Sequence, residues 1–290
     1  MLVILGPTAS GKTHLAVQMA YQLICDGQPA EIISADSRQV YRGMDIGTGK
    51  DLAEYTIDGQ LIPYHLIDIV DAGDEYNVFR YQRDFDRAMQ GILRRNAVPI
   101  LCGGSGMYIE AALQPEAMLA VPPDERLRAE LETLPDGQLL DRFRQTQSAY
   151  SGKADTSTRK RLIRAIEIGT YLNAHPTARP TSRPALPAYR VLGLDPPVAL
   201  RRERISRRLR DRLQHGLIEE VQQLLKQGIP AEKLIYYGLE YKYVTQYLLG
   251  QLTYPAMAIQ LETAIHQFAK RQMTYFRKME RDGLAIEWQK

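Results

Sequence analysis

The stretch Gly6-Pro7-Thr8-Ala9-Ser10-Gly11-Lys12-Thr13 constrains this chain more than any other. It fits the phosphate-loop spacing G-x-x-x-x-G-K-[ST]; the apolar run Leu2-Val3-Ile4-Leu5 precedes it, and His14–Leu23 after it reads as a helix. A buried strand, a glycine-rich turn and a helix, in that order, aim backbone N–H groups and the positive end of a helix at one spot. That spot favours an anion. Lys12 adds a cation, and the Thr13 hydroxyl is suited to holding Mg²⁺. The reading is a protein that binds a di- or triphosphate; the loop alone leaves open whether that group is ATP or the substrate.

The rest of the first ~115 residues alternates strands with helices. Ala30–Ser34, His65–Ile69 and Val98–Cys102 read as strands, and Tyr76–Arg95 reads as a helix. The expected fold is α/β, a P-loop NTPase-like parallel sheet with helices on both faces. From about Ala112 the texture turns helical: Asp124–Gln147, broken at Pro135-Asp136-Gly137, then Ser157–Ala174, then a Pro-rich connector, Pro176–Pro187, with Arg179 and Arg183. Residues 112–190 are therefore expected to form a helical insertion on a core made of 1–111 and 191–290. The sheet pattern resumes at Tyr189–Leu194. Asp195-Pro196 looks like the N-cap and first residue of a helix, whose buried face is Ile205, Leu209 and Leu213 and which carries an i,i+4 row of Arg204, Arg208 and Arg212. A last helix is expected over Pro255–Met279, and Leu284–Trp288 is a closing strand or a tail.

Charge is uneven. Residues 1–115 hold nine Lys/Arg against 14 Asp/Glu, and the remainder holds 28 against 20. That asymmetry suits a polyanionic partner for the second half, or simply well-solvated Arg-rich helices. No apolar run reaches the roughly 20 residues a membrane span needs, and no basic segment precedes Leu2, so neither a membrane partner nor a signal peptide is expected. Cys25 and Cys102 make no disulfide framework or metal spacing. A cytoplasmic monomer is the expectation.

Four further clusters could carry chemistry. Asp36 ends a strand beside the phosphate loop, where a carboxylate acts as general base, holds Mg²⁺ through water, or merely caps a turn. Gly103-Gly104-Ser105-Gly106-Met107-Tyr108 lets backbone approach a ligand and offers the Ser105 hydroxyl, or is an ordinary strand-to-helix turn. Arg161 and Arg164 share a helix face in Arg159–Arg164, a phosphate-binding row or a solvated one. Lys270–Arg277 interleaves cations with Tyr275 and Phe276, a pattern for stacking on bases or for a core-facing stripe. His65, His215 and His266 stand alone and read as structural.

Together these stretches resemble the tRNA dimethylallyltransferase (tRNA isopentenyltransferase) family. The matches run in order: Gly6–Thr13, Ser34–Thr48, His65–Ile69, Gly103–Ile109, Lys160–Glu167, Arg204-Ile205 with Arg208, Gly216–Val221 and Ala269–Arg277. The resemblance implies transfer of a dimethylallyl group from dimethylallyl diphosphate to the exocyclic N6 amine of the adenosine 3′ to a tRNA anticodon. It implies an extruded base meeting the donor in a tunnel. Carried over residue by residue, Asp36 is the general base. Gly6, Pro7, Thr8, Ala9, Ser10, Gly11, Lys12 and Thr13 hold the diphosphate together with Ser105 and Arg208, with Mg²⁺ on Thr13. Contacts to the tRNA anticodon stem-loop fall to Asp36, Ser37, Arg38, Gln39, Arg128, Lys160, Arg161, Leu162, Ile163, Arg164, Lys270, Arg271, Gln272, Thr274, Tyr275 and Arg277.

The chain departs from the family pattern at Ser105, where Thr is usual, at Tyr64-His65, where paired histidines are usual, and at Glu240, where Gly is usual, inside the Tyr-rich stretch Tyr236–Tyr247. Its insertion is also short. Three rival readings stand beside this one: an adenylate isopentenyltransferase acting on free AMP, ADP or ATP; a P-loop kinase of a small metabolite; and a non-catalytic RNA-binding paralogue.

Overall fold

The computed structural model describes residues 1–114, 121–148, 150–177 and 182–289; Arg179, in the expected connector, lies outside them. The described chain divides into two compact units, 1–114 with 184–290, and 115–183.

In the first unit, β1 (Leu2–Leu5) leads through the phosphate loop into α1 (Lys12–Cys25) and then β2 (Ala30–Ser34). A small hairpin follows, β3 (Thr56–Ile57) and β4 (Gln60–Leu61), closed by Asp58-Gly59, both at positive φ. That is the turn chemistry a two-residue hairpin demands, and the reading from sequence passed over it. β5 (Tyr64–His65), α2 (Val78–Arg94), β6 (Val98–Gly103) and α3 (Gly106–Leu113) complete the first half.

The expected strand over His65–Ile69 is shorter than its apolar residues suggest. Only Tyr64 and His65 pair with β2. Leu66 (φ 62°) and Asp68 (φ 55°) turn left-handed instead. The cause lies nearby. The Lys50 side chain is 1% exposed, and its ammonium donates to the Tyr41 carbonyl (2.6 Å), to Asp45 (2.5 Å) and to Asp68. A buried ammonium left unpaired costs several kcal/mol, more than the ~1–3 kcal/mol of a strained backbone, so the chain bends to bring Asp68 in.

The second unit holds α4 (Glu125–Thr133), α5 (Asp136–Gln145) and α6 (Arg159–Ala174). Asp124 and Thr158 cap α4 and α6 through their side chains. Leu127, Leu131, Leu139, Leu162, Ile163 and Ile166 meet in its own apolar core. Beside that core the Glu167 side chain is 1% exposed and accepts from Arg128, from Arg164 and from the Asp124 N–H.

The chain returns to the first unit with β7 (Arg190–Leu194), α7 (Val198–Gln214), α8 (Leu217–Lys226), α9 (Ala231–Tyr237), α10 (Leu239–Leu248), α11 (Tyr254–Arg281) and β8 (Glu287–Gln289). The expected Asp195-Pro196 cap is overturned: α7 begins at Val198, and the Asp195 carboxylate accepts instead from Arg201 (3.4 Å) and Arg277 (3.1 Å). Of the expected closing segment Leu284–Trp288, only Glu287 and Trp288 fall in a strand, β8.

The six-stranded sheet runs β5-β2-β6-β1-β7-β8, with every pairing parallel. Strand alternation sends Ile4, Ile32 and Ile100 to one face, against Ala16, Val17 and Ala20 of α1. Val3, Ile33, Leu101 and Val191 go to the other, against residues of α2, α3, α7 and α11. Both faces are thus covered, as a parallel sheet requires. Among the described residues no helix is long and apolar enough to cross a membrane.

Candidate active site

Beyond the carboxyl ends of β1, β2 and β6, a cavity of about 430 Å³ is lined by Thr8, Ala9, Gly11, Lys12, Thr13, Asp36–Gln39, Ser105 and Arg208. The loop that starts it is under backbone constraint: Ala9 and Gly11 take φ of 60° and 87°. Its neighbour on β6 needs a glycine, because a Cβ on Gly103 would lie 2.2 Å from the Ala35 carbonyl oxygen. This close approach brings the Asp36 turn against the Ser105 turn.

Asp36 does two things. Its Oδ1 accepts from the Arg38 N–H (2.8 Å) and the Gln39 N–H (3.4 Å), so the capping role open from sequence is real. No hydrogen bond of Oδ2 is found among the described residues, and the side chain lines the cavity. Ser105 Oγ accepts from the Ser37 N–H (3.1 Å) and donates to the Ser37 Oγ at 3.4 Å, a bond long enough for its proton to turn to a ligand instead.

The cations of the cavity are half-buried. Burial lowers the Lys12 ammonium pKa, opposed by Cys102 and Asp36. Burial, then the like charge of Arg212, pushes Arg208 down to about 10, so it stays protonated at neutral pH. The Arg208 guanidinium donates to the Thr8 hydroxyl. Two carboxyls on the same wall move the other way: burial raises Glu54, and burial raises Glu240 against the pull of Arg212 and Arg208. The Cys102 thiol, pushed up to about 12 by burial, is inert at neutral pH. Desolvation is the first cause of each of these shifts, and a cation in partly desolvated surroundings pulls harder on an anion than it would in water.

A family model described as IPP transferase matches residues 39–279. The chain belongs to the IPP transferase family. It is 54% identical to tRNA dimethylallyltransferase 1 of Porphyromonas gingivalis over 99% of this chain and 93% of that one. It is 52% identical to tRNA dimethylallyltransferase 2 of Phocaeicola vulgatus, over 99% and 91%. Among solved structures it is similar to the full-length tRNA isopentenylpyrophosphate transferase of Bacillus halodurans, with a TM-score of 0.68 at 31% identity over 99% of this chain and 88% of that one. A eukaryotic dimethylallyltransferase acting on tRNA shares the fold, with a TM-score of 0.68 at 21% identity over 99% and 73%.

Several residues expected at an RNA surface are used otherwise in this IPP transferase. Gln272 is 8% exposed. Its Oε1 accepts from the Thr8 N–H (2.8 Å) and its Nε2 donates to the Gly104 carbonyl (2.8 Å), so it ties the phosphate loop to the loop after β6. Tyr275 donates to Glu110 and packs on Gly106. Arg277 pairs with Asp195 and Glu280 and lies 4.1 Å from the Trp288 ring centroid. The Thr274 hydroxyl donates back to the Lys270 carbonyl. Lys270 and Arg271 are exposed. In the helical unit, Leu162 and Ile163 are core residues, which corrects the expectation that they touch nucleic acid. Arg128 and Arg164 are counter-ions of buried Glu167, and Arg161 pairs with Asp155 (2.8 Å). Lys160 is exposed, with no ion pair among the described residues. Of the phosphate loop, Gly6, Pro7 and Ser10 lie outside the cavity lining and shape the turn: the Pro7 carbonyl accepts from the Ser10 N–H and the Lys12 ammonium.

Other residues of the site were not legible. Glu220 accepts from three consecutive N–H groups, of Asp45, Ile46 and Gly47 (2.7–3.0 Å), and from the Tyr241 hydroxyl (2.7 Å). It fixes the loop that bounds the cavity. Arg212 donates to Asp51 (3.4 Å) on the same wall. Only its place in the i,i+4 row with Arg208 hinted at this.

Proposed function

We propose that this protein transfers a dimethylallyl group from dimethylallyl diphosphate to the exocyclic N6 amine of the adenosine 3′ to the anticodon of a tRNA. The observation that carries the reading is the meeting, around one cavity, of a diphosphate cradle (Lys12, Thr13, Ser105, Arg208) and a carboxylate with one oxygen uncommitted, Asp36. The family and the names of its relatives supply the substrate class.

The chemistry balances with groups at hand. The N6 lone pair forms the new C–N bond as the allylic C–O bond breaks, and the bonding electrons leave with diphosphate. Asp36 accepts the proton that the amine loses. Lys12, Arg208 and the Ser105 hydroxyl meet the charge that grows on the departing oxygens, so they act chiefly on the transition state. A threonine hydroxyl beside diphosphate oxygens is a donor set that suits Mg²⁺, which takes few protein ligands and keeps several waters. Thr13 would hold it, and the ion would help neutralise the leaving group. Exposed Lys160, Lys270 and Arg271 serve backbone contacts to the RNA.

The test is transfer of labelled dimethylallyl diphosphate, with Mg²⁺, to unmodified bulk tRNA. Label on tRNA is expected. Label on AMP in preference to tRNA would move the acceptor to a free nucleotide, and label on neither would overturn the reading.

A further inference from the structure

Tyr236 belongs to the Tyr-rich stretch where this chain departs from the family pattern, and none of the chemistry above uses it. It is 68% exposed, yet its side chain also lines the cavity, so it stands at the mouth. Helix α9 puts it there. Leu234 and Tyr237 are the buried residues of this helix. The Tyr237 hydroxyl accepts from the Gly73 N–H (2.8 Å) and donates to the Asp74 carbonyl (3.0 Å), while its ring lies 4.5 Å from that of Tyr41. With Tyr237 pinned inward, the roughly 100° step of a helix turns Tyr236 outward. Arg38 reaches it from the turn after β2, its guanidinium 5.5 Å from the ring centroid. No hydrogen bond of the Tyr236 hydroxyl is found among the described residues.

We infer that Tyr236, steadied by Arg38, is a stacking platform for a nucleobase next to the acceptor, and so a specificity-determining residue. The inference rests on the proposed tRNA reaction and deepens it. An exposed ring beside a guanidinium offers what an unstacked nucleotide needs: a flat apolar surface for the base and a cation for its phosphate. A base drawn out of a loop loses its stacking partners, and so does its neighbour. An aromatic at the cavity mouth returns that stacking to the neighbour as the acceptor goes in. A free nucleotide has no neighbour and gains nothing from it.

The experiment uses the full chain and an anticodon stem-loop RNA with 2-aminopurine beside the acceptor adenosine. Wild type is compared with Tyr236→Ala and Tyr236→Phe for RNA affinity, 2-aminopurine fluorescence, and kcat and KM for both substrates. Tyr236→Ala is expected to lose about tenfold or more in kcat/KM for RNA, through KM, and to change the fluorescence of the bound probe. Its KM for dimethylallyl diphosphate and its melting temperature stay put. Tyr236→Phe keeps the ring and stays within about twofold of wild type. Equal behaviour of the Ala variant and wild type overturns the inference while leaving the proposed reaction intact. So does a Phe variant as poor as Ala, which would assign the effect to the hydroxyl. Failure of wild type itself to bind the RNA overturns both.

Discussion

Arginine serves opposite ends in the two units. At the cavity, Arg208 is half-buried and, among the described residues, makes no ion pair and bonds only to the neutral Thr8 hydroxyl, so its charge stays available to a ligand. In the helical unit, Arg128 and Arg164 converge on one carboxylate, Glu167, and their charge is spent on burying it. Arg208 and Arg164 look alike in sequence: each stands three or four positions from another Arg on an Arg-rich helix. What separates them is whether an anion from elsewhere in the chain reaches the guanidinium first.

The largest expected effect tests the cavity side. Asp36→Asn keeps an Oδ1 to cap the Arg38 N–H but cannot take a proton. Turnover should fall ~10²–10⁴-fold with the melting temperature unchanged. A fall in both would make Asp36 chiefly a cap. Next, Arg208→Ala should lower kcat by ~10²–10³ without destabilising the fold, since no ion pair is broken. If chemical denaturation instead showed a large stability loss, Arg208 would belong with Arg128 and the contrast would collapse.

The helical unit should respond in the reverse sense. Glu167→Ala takes the anion from Arg164 and leaves Arg128 only exposed Glu125; with both guanidiniums about a third exposed, it should cost about 2 kcal/mol of stability, read from urea unfolding. Arg128→Ala alone should cost under about 1 kcal/mol, because Arg128 is a third exposed and Arg164 remains.

The smallest effect is on pH dependence. Two hydrogen bonds from Arg95 hold the Glu31 carboxyl below the usual range. A depressed carboxyl stabilises the fold above its unfolded pKa and loses that contribution as pH falls through the folded value. The melting-temperature gap between wild type and Arg95→Ala should therefore be widest near neutral pH and close below about pH 4. A gap independent of pH would mean that Arg95 acts by packing.

Much of this molecule is local and could be read from spacing. The phosphate loop, the strands β1, β2, β6 and β7, the helix start near Asp124 and the break at Pro135 each follow from a few adjacent residues, because backbone dihedrals and side-chain periodicity are set over one or two turns. The family pattern added the roles proposed for Asp36, Lys12, Thr13, Ser105 and Arg208. Tertiary structure alone decided how the remaining polar groups are spent. Gln272 bonds to a loop 264 positions away, Glu220 gathers three N–H groups from residues 45–47, and buried Lys50 bends an apolar segment out of its strand to obtain Asp68. A side chain's periodicity shows which face it occupies. Whether it meets a partner there depends on where distant chain returns, and a buried charge or amide must be satisfied by whatever arrives.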